Sequence, residues 1–326
     1  MKKNNIPKEL VAQRNRIEKT ENRGDFWKPC PGTGDDYNCC DYQIITPLTG
    51  CGMYCSYCVL QEYHSQNHQV QYTNWEQLEH EVAEKMKSWD GVVRFGTGEF
   101  ADSLYLEKKL GLSQKLAKFL EKYDNVLVEF KTKSTNIEPL KNITDPSKVV
   151  IGFSMNTPEM ISELESGTAS LDERLKAAAE CEEMGFWVAF HFDPMVWYPT
   201  WEADYREVVD RIFTTIKNPE KIAWWSLGGF RTMPSLKKTL KKLGREMPLF
   251  AGELVLGTDR KYRYIRSVRS AFFRVMQEQV EKYHPETTLY LCMESPEVWR
   301  DCGMQKRIPD GLKSYLDRRA EKMLGL

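Results

Sequence analysis

The run Gly50-Cys51-Gly52-Met53-Tyr54-Cys55-Ser56-Tyr57-Cys58 spaces three cysteines as C-x3-C-x2-C, with an aromatic residue directly before the last of them. Iron–sulfur clusters are built on cysteine thiolates, so these three cysteines can hold three corners of a [4Fe–4S] cluster. The fourth iron would then lack a protein ligand and would be open to a small molecule. We therefore predict that Cys51, Cys55 and Cys58 bind such a cluster.

A structural zinc site is the alternative. Zinc usually takes four protein ligands, and Cys39, Cys40 or His64 could supply the fourth. Zinc ligands usually come as two separated pairs, however, whereas these three cysteines lie in one loop. The single loop favours the cluster. A disulfide framework is disfavoured, because nine cysteines is an odd number and the chain shows no secretory leader.

The composition predicts one large globular domain, or one domain with a subdomain. The 326 residues are 41% hydrophobic, which is enough for a large core. The polar first residues do not resemble a signal peptide, and no apolar run has the length of a transmembrane helix. We expect a soluble, cytoplasmic protein without a membrane partner. Because the net charge is −1, any nucleic-acid surface would be a local patch.

Strand-like and helix-like segments alternate along residues 41–248, which predicts an α/β fold with a parallel sheet and right-handed crossovers. About six units indicate a partial (β/α)6 barrel of the TIM type. Strands are predicted at 42–46, 91–95, 126–130, 149–154, 186–192 and 222–226. Helices are predicted after a Thr73/Glu76 capping box, at 105–122, at 170–184 after a Ser170/Glu173 capping box, and at 202–216.

The two ends of the chain break this alternation. Residues 1–40 are predicted to be an N-terminal segment with an irregular loop over 25–40. Residues 249–326 contain a basic helix near 262–283, a strand near 287–292 and a helix near 309–323. We predict that they form a C-terminal α+β extension packed on the barrel.

Ligands of parallel α/β folds collect at the carboxyl ends of the strands. The second predicted strand ends in Gly96-Thr97-Gly98-Glu99, where the glycines would admit a ligand and Glu99 would bind an ammonium group. An ordinary strand–helix turn is the alternative. The next three strand ends offer Lys133, Ser154 and the pair His191/Asp193, and we predict cofactor contacts for Lys133, Ser154 and Asp193. Solvated lysines and a hydrogen-bonded core histidine are the alternatives.

The cysteine loop, with Tyr57 as its aromatic residue, resembles the signature of the radical SAM superfamily. The segment Gly96–Glu99 resembles the Gly-Gly-Glu segment with which that superfamily holds the amino group of S-adenosylmethionine (SAM). The resemblance implies an enzyme that reductively cleaves SAM at a [4Fe–4S] cluster to a 5′-deoxyadenosyl radical. It also implies a reductant such as flavodoxin or ferredoxin.

Longer stretches resemble the spore photoproduct lyases within that superfamily, over residues 25–215 and more loosely beyond. The resemblance implies that Tyr57, Lys133 and Ser154 lie against SAM. It also implies a lyase of DNA repair: the radical abstracts a hydrogen from a UV-induced thymine dimer, the crosslink fragments and a cysteine returns a hydrogen. The similar segments are Cys30–Thr33, Cys39–Tyr42, the cysteine loop through Gln61, Lys131–Lys133, Phe153–Asn156 and Glu165–Leu175.

Two positions depart from the family pattern. The hydrogen-donating cysteine is expected where Glu99 stands, and a tyrosine is expected at Val59. Cys292 or Cys302 could replace the donor if the C-terminal residues cover the barrel mouth. A radical SAM enzyme acting on RNA, a peptide or a metabolite is therefore an alternative, and so is a non-catalytic metal-bearing binding protein.

Basic residues cluster along 260–274, on the predicted C-terminal helix. We predict that Arg260, Arg263, Arg266 and Arg269 contact nucleic-acid phosphates, which bind arginine independently of sequence. A solvated helix face is the alternative.

Overall fold

The computed structural model describes residues 8–32, 36–63, 68–242, 248–250 and 252–326. Within them a central sheet of eight strands follows the order of the chain from β1 to β8. Neighbouring strands from β2 to β8 are parallel, whereas β1 pairs antiparallel with β2. The strands are β1 (Trp27–Pro29), β2 (Gln43–Ile45), β3 (Val93–Gly96), β4 (Val126–Thr132), β5 (Val149–Ser154), β6 (Trp187–Met195), β7 (Ile222–Gly229) and β8 (Leu289–Leu291).

The sheet curls into part of a (β/α) barrel, and the predicted fold class is confirmed. Its central strands are buried on both faces, as expected for parallel strands that helices cover on one side and a barrel interior on the other. Every residue of β5 and of β7 is buried. Their sequences read as apolar runs for this reason, without the alternation of a half-exposed strand.

Helices and short strands surround the central sheet. The α-helices are Lys8–Arg14, Leu60–Tyr63, Trp75–Met86, Glu107–Leu110, Leu112–Leu120, Pro158–Leu164, Leu171–Glu183, Trp201–Thr215, Leu236–Lys242, Arg266–Tyr283, Pro296–Asp301 and Leu312–Leu324. Short strands are Ile17–Thr20, Leu48–Thr49, Tyr54–Cys55, Gln69–Tyr72, Glu165–Ser166, Arg231–Thr232, Leu254–Leu256 and Tyr262–Tyr264. Single 3-10 turns are Glu138–Asn142, Pro146–Lys148, Pro219–Lys221, Pro248–Phe250 and Gln305–Arg307.

One of the two predicted capping boxes forms. The Ser170 hydroxyl accepts the backbone N–H of Glu173, and the Glu173 carboxylate accepts the N–H of Ser170, so the helix Leu171–Glu183 begins as predicted. The Thr73/Glu76 box is wrong: the helix starts after Asn74, whose side-chain oxygen accepts the backbone N–H of Asn22 instead.

The ends of the chain differ from prediction. The loop predicted over 25–40 contains β1, and residues 1–7 and 33–35 lie outside the described residues. The strand Leu289–Leu291 joins the central sheet beside Trp225–Leu227, so residues 249–326 share that sheet with residues 41–248. The basic helix begins at Arg266, because Tyr262–Tyr264 pairs with Leu254–Leu256 as a strand. No helix in the described ranges is both long and apolar enough to cross a bilayer.

Candidate active site

A cavity of about 340 Å³ lies at the carboxyl ends of the parallel strands. It brings together most of the predicted site residues, although they come from six separate strand ends. The predicted residues that line it are Cys51, Cys55, Tyr57, Cys58, Gly98, Glu99, Lys133, Ser154, Asp193 and Cys292. Gly96, Cys302, Arg260, Arg263, Arg266 and Arg269 are not among the lining residues.

Backbone pairing holds the cysteine loop against the barrel. Tyr54–Cys55 pairs antiparallel with Glu165–Ser166, and the N–H of Ser56 donates to the carbonyl of Leu164 at 2.7 Å. The Gln61 amide also donates to the carbonyl of Cys55 at 2.8 Å. These bonds fix the loop in the orientation in which all three of its cysteines face the cavity.

The donor set of this loop fits an iron–sulfur cluster. Cysteine sulfurs are the ligands on which such clusters are built, and the N–H of Met53 donates to the Cys51 sulfur at 3.4 Å, as amides do toward cluster thiolates. Among the described residues, no three His, Cys, Asp or Glu side chains converge on a single metal ion. A four-iron cluster takes each cysteine on a different iron, so its ligands need not converge. The alternative zinc ligand His64 lies outside the described residues.

A buried network connects the cysteine loop to the end of β5. Tyr57 donates its hydroxyl proton to the carboxylate of Glu165, which also pairs with Arg174. The Arg174 guanidinium is fully buried and donates to the carbonyl of Ser154 at 2.8 Å. Burial disfavours the charged form of Glu165, but Arg174 and the other partners outweigh it and lower the pKa of this carboxyl.

The Gly96–Glu99 segment divides into two parts. A Cβ at Gly96 would lie 1.9 Å from the Tyr42 hydroxyl, so the Tyr42 ring covers this glycine, which does not line the cavity. Its contact with a cofactor stays a prediction. Gly98 does line the cavity and packs on Lys131. Glu99 pairs with Lys131 through one oxygen at 3.0 Å, while its other oxygen is buried without a hydrogen-bond partner.

Lys133 is a cavity-lining cation without an ion pair to a described residue, so its ammonium can bind an anionic ligand. Asp102 accepts the Lys133 backbone N–H at 2.7 Å and the Thr132 hydroxyl at 2.7 Å, which fixes the end of β4. The Lys133 ammonium lies 5.7 Å from the centroid of the Tyr57 ring and forms no ion pair with a described carboxylate.

Glu129, two residues before Lys131 on β4, is a buried acid at the floor of the cavity. Its carboxylate accepts from Tyr42 at 2.7 Å and from Trp224 at 3.1 Å, and it contacts His191 at 2.6 Å. Burial alone would raise the pKa of Glu129, but the attraction and hydrogen bond of His191, with Lys131 and Tyr42, lower it to about 2. His191 is therefore both a hydrogen-bonded core histidine and a lining residue.

The depressed pKa of Glu129 predicts a pH dependence of stability. A carboxyl whose folded pKa lies below its unfolded value stabilises the fold fully above the unfolded value, about 4.5, and loses that contribution as pH falls toward 2. We expect the difference in unfolding free energy between wild type and Glu129→Gln, measured in urea, to shrink between pH 5 and pH 2. A constant difference would contradict the assigned pairing.

Gly152 on β5 packs against the Glu129–His191 pair, which leaves no room for a side chain at this position. A Cβ at this position would lie 2.6 Å from a Glu129 carboxylate oxygen and 3.0 Å from His191 Nε2. We expect Gly152→Ala to destabilise the protein by about 1–3 kcal/mol, because overpacking displaces buried groups. Thermal unfolding measures this effect. Gly24→Ala, whose new methyl would lie no closer than 3.6 Å to a neighbour, is the control, and equal melting temperatures for the two variants would refute the tight packing.

Asp193 and Cys292 both line the cavity and both contact Arg231. Asp193, predicted to contact the cofactor, pairs with Arg231 at 2.6 Å. Arg231 also donates to the sulfur of Cys292 at 3.6 Å. Cys302 is buried and does not line the cavity, and its thiol is directed at the carbonyl of Trp299. Its catalytic role stays a prediction that this placement does not support.

The four arginines predicted to contact nucleic acid lie in different environments, and their contact with nucleic acid stays a prediction. Arg263 is buried and paired with Asp259, and Arg269 is buried and paired with Glu294. Arg266 is exposed, but it pairs with Asp301. Arg260 is exposed in a turn at φ +61°, ahead of the strand Tyr262–Tyr264. The four arginines therefore do not share one solvated helix face.

The family model for spore photoproduct lyase matches residues 37–291. The chain belongs to the spore photoproduct lyase family. The spore photoproduct lyase of Clostridium acetobutylicum is 25% identical over 173 residues, and that of Bacillus subtilis is 25% identical over 166 residues. These matches cover 52% and 50% of this chain, and the chain spans about half the length of each relative: 51% and 48%.

Solved structures of the family share the fold. A spore photoproduct lyase mutant with bound SAM and dinucleoside spore photoproduct superimposes with a TM-score of 0.78 at 19% identity, over 87% of this chain and 84% of that one. A spore photoproduct lyase complexed with dinucleoside spore photoproduct gives a TM-score of 0.77 at 19% identity, over 89% of this chain and 87% of that one.

Sequence patterns left several lining residues of this family member unassigned. Tyr42, Glu129 and Arg231 line the cavity and form the ion pairs and hydrogen bonds just described. Lys261 also lines it, and its ammonium donates to the carbonyl of Gly32. A sequence signal existed for Glu129: it lies two residues before Lys131 on β4 and therefore on the same face of the strand. Arg231 and Lys261 had no such signal, because Arg231 lies in a short antiparallel strand outside the central sheet and Lys261 directly precedes another.

Proposed function

We propose that this protein is a radical SAM enzyme of the photoproduct-lyase type that acts on a damaged base in DNA. The observation that carries the proposal is the single cavity that gathers three cysteines of one loop with a free lysine, a serine hydroxyl and a partly unpaired carboxylate. When bound, a [4Fe–4S] cluster would supply the electron that splits SAM into methionine and a 5′-deoxyadenosyl radical.

Cys51, Cys55 and Cys58 would hold the cluster, and the other lining residues have separate roles toward SAM. The Lys133 ammonium would bind the SAM carboxylate, and the unpaired oxygen of Glu99 would accept from its ammonium group. Gly98 makes room for Lys131, on which it packs, beside Glu99. The Ser154 hydroxyl would bind the ribose, on a strand end that Arg174 fixes.

The proposed substrate is a UV photolesion. The similarity to spore photoproduct lyases, and to a solved structure complexed with dinucleoside spore photoproduct, supports this proposal. A lesion within a duplex must leave the base stack to reach a cavity of this kind. The electron donor is proposed to be a low-potential protein such as flavodoxin or ferredoxin.

The test starts with anaerobic reconstitution with iron and sulfide, followed by a reductant and SAM. We expect 5′-deoxyadenosine, and on addition of dinucleoside spore photoproduct we expect thymine and faster SAM cleavage. Deoxyadenosine without thymine would redirect the proposal to an RNA, peptide or metabolite substrate. A preparation that assembles no iron–sulfur cluster would refute the radical chemistry.

A further inference from the structure

A reaction that begins by taking a hydrogen atom from its substrate leaves a carbon radical, and that radical must take a hydrogen atom back. Thiols are the best hydrogen-atom donors among protein side chains, because the S–H bond is weak. Within the described chain, six cysteines line the cavity, and three of them belong to the cysteine loop. We infer that Cys292, among the remaining three, donates the hydrogen atom to the substrate radical; this inference rests on the proposed function.

The position that the family pattern reserves for a donor does not hold a thiol in this chain. Glu99 stands there, and its carboxylate is engaged with Lys131. A carboxylate has no hydrogen atom to give. The donor must therefore come from another wall of the same cavity, and Cys292 lies on the wall that β8 contributes.

The structure holds the Cys292 thiol in place. Its backbone N–H donates to the carbonyl of Leu227 at 2.8 Å, which continues the pairing of β8 with β7. Arg231, itself fixed by Asp193, donates to the sulfur at 3.6 Å. Because the sulfur acts as acceptor in that contact, its own hydrogen remains free to point into the cavity.

The same surroundings keep that hydrogen on the sulfur. Burial, reinforced by the negative charge of Asp193, raises the pKa of Cys292 to about 12 despite the opposing charge of Arg231. The residue therefore remains a thiol at neutral pH. A thiolate at this position would have no hydrogen atom to donate.

The other two thiols are placed less favourably. Cys40 is hydrogen bonded to Cys39 through its thiol, so its hydrogen already has a partner. Cys30 directly follows β1, outside the parallel strands whose ends form the cavity, and its sulfur accepts the backbone N–H of Gly32. Cys302, the other candidate from the sequence, does not reach the cavity.

The S–H bond of Cys292 breaks homolytically, a C–H bond forms on the substrate carbon, and the sulfur is left as a thiyl radical. The substrate radical is thereby reduced and Cys292 is oxidised by one electron. One electron from the low-potential reductant that also serves the cluster, with one proton from solvent, restores the thiol.

Turnover of dinucleoside spore photoproduct in D2O tests the inference, because a thiol exchanges its proton with solvent. Wild type is expected to form thymine that carries deuterium from solvent. Cys292→Ala and Cys292→Ser should still form 5′-deoxyadenosine, but the yield of deuterated thymine should fall at least about tenfold. The serine variant preserves size and the contact with Arg231, but its O–H bond is too strong to donate. Cys40→Ala and Cys181→Ala are the controls and should behave as wild type.

Alkylation of the cluster-free protein, mapped by mass spectrometry, gives a readout independent of turnover. The dinucleoside is expected to protect Cys292 from slow alkylation, but to leave the exposed Cys39 as reactive as before. Unchanged deuterium transfer in both Cys292 variants, or its loss in Cys40→Ala, would overturn the donor assignment alone. A wild-type protein that forms no 5′-deoxyadenosine would overturn the proposed function, and the donor with it.

Discussion

Cys55→Ala is expected to reduce 5′-deoxyadenosine formation to background and to lower the iron bound per chain after reconstitution. Cys55 is the central cysteine of the loop, is buried, and lies in the pair of strands that fixes the loop on Glu165–Ser166. A cluster left with two of its three cysteines loses both its anchorage and the geometry that exposes one iron. Iron and sulfide analysis, with chromatography of the nucleoside product, measures the two effects.

Cys181→Ala is the matched control for this variant. Cys181 is equally buried, but it lies in the helix Leu171–Glu183 and does not line the cavity. Its loss should leave iron content and SAM cleavage unchanged. SAM cleavage by Cys55→Ala at the wild-type rate would show that the cluster ligands are assigned wrongly.

Arg174→Met is expected to lower the free energy of unfolding by about 3–5 kcal/mol, because it leaves the Glu165 carboxylate buried without its counter-charge. Both partners of this ion pair are almost fully buried, and Arg174 also satisfies the carbonyls of Ser154 and Ala169. Urea unfolding at pH 7 measures the loss. Lys176→Met, on the exposed side of the same helix, should change stability by less than about 0.5 kcal/mol.

The double variant Arg174→Met/Glu165→Leu separates the charge from the packing. Replacing both partners of a buried ion pair with apolar groups often restores most of the stability lost in a single variant. We therefore expect the double variant to be more stable than Arg174→Met. A double variant as unstable as the single one would show that the stability is lost because the backbone carbonyls lose the hydrogen bonds that Arg174 donates, and not because Glu165 loses its counter-charge.

Local patterns predicted the parts of the site that lie close together in sequence. The cysteine loop needs eight consecutive residues, and the strand-end rule found Glu99, Lys133 and Ser154 because it depends only on where each strand stops. A continuous apolar run likewise identified β5 with its observed bounds, since all its residues are buried. The fold class follows from the same alternation of strands and helices.

Pairings between distant segments could not be predicted in this way. Trp224 and Glu129 are 95 residues apart in sequence, and Arg231 and Asp193 are 38 apart. No local sequence pattern identifies either pair. For the basic residues near 260–269 a local pattern was present, but it predicted the wrong secondary structure. A single helix would have placed the arginines at the surface, but the strand Tyr262–Tyr264 turns Arg263 toward Asp259, and Arg269 finds Glu294 in the loop after β8.

The position of β8 at the edge of the sheet affects how the protein is made. The last parallel strand, β8, comes about 240 residues after β2 in the sequence. The cysteine loop therefore leaves the ribosome long before the residues that form the β8 side of the cavity. Until Leu289–Leu291 is released and docks beside β7, solvent and oxidants reach those sulfurs freely. We expect nascent chains arrested before residue 289 to be alkylated at the cysteine loop much faster than full-length ones, which makes insertion of the metal after synthesis the safer order of assembly.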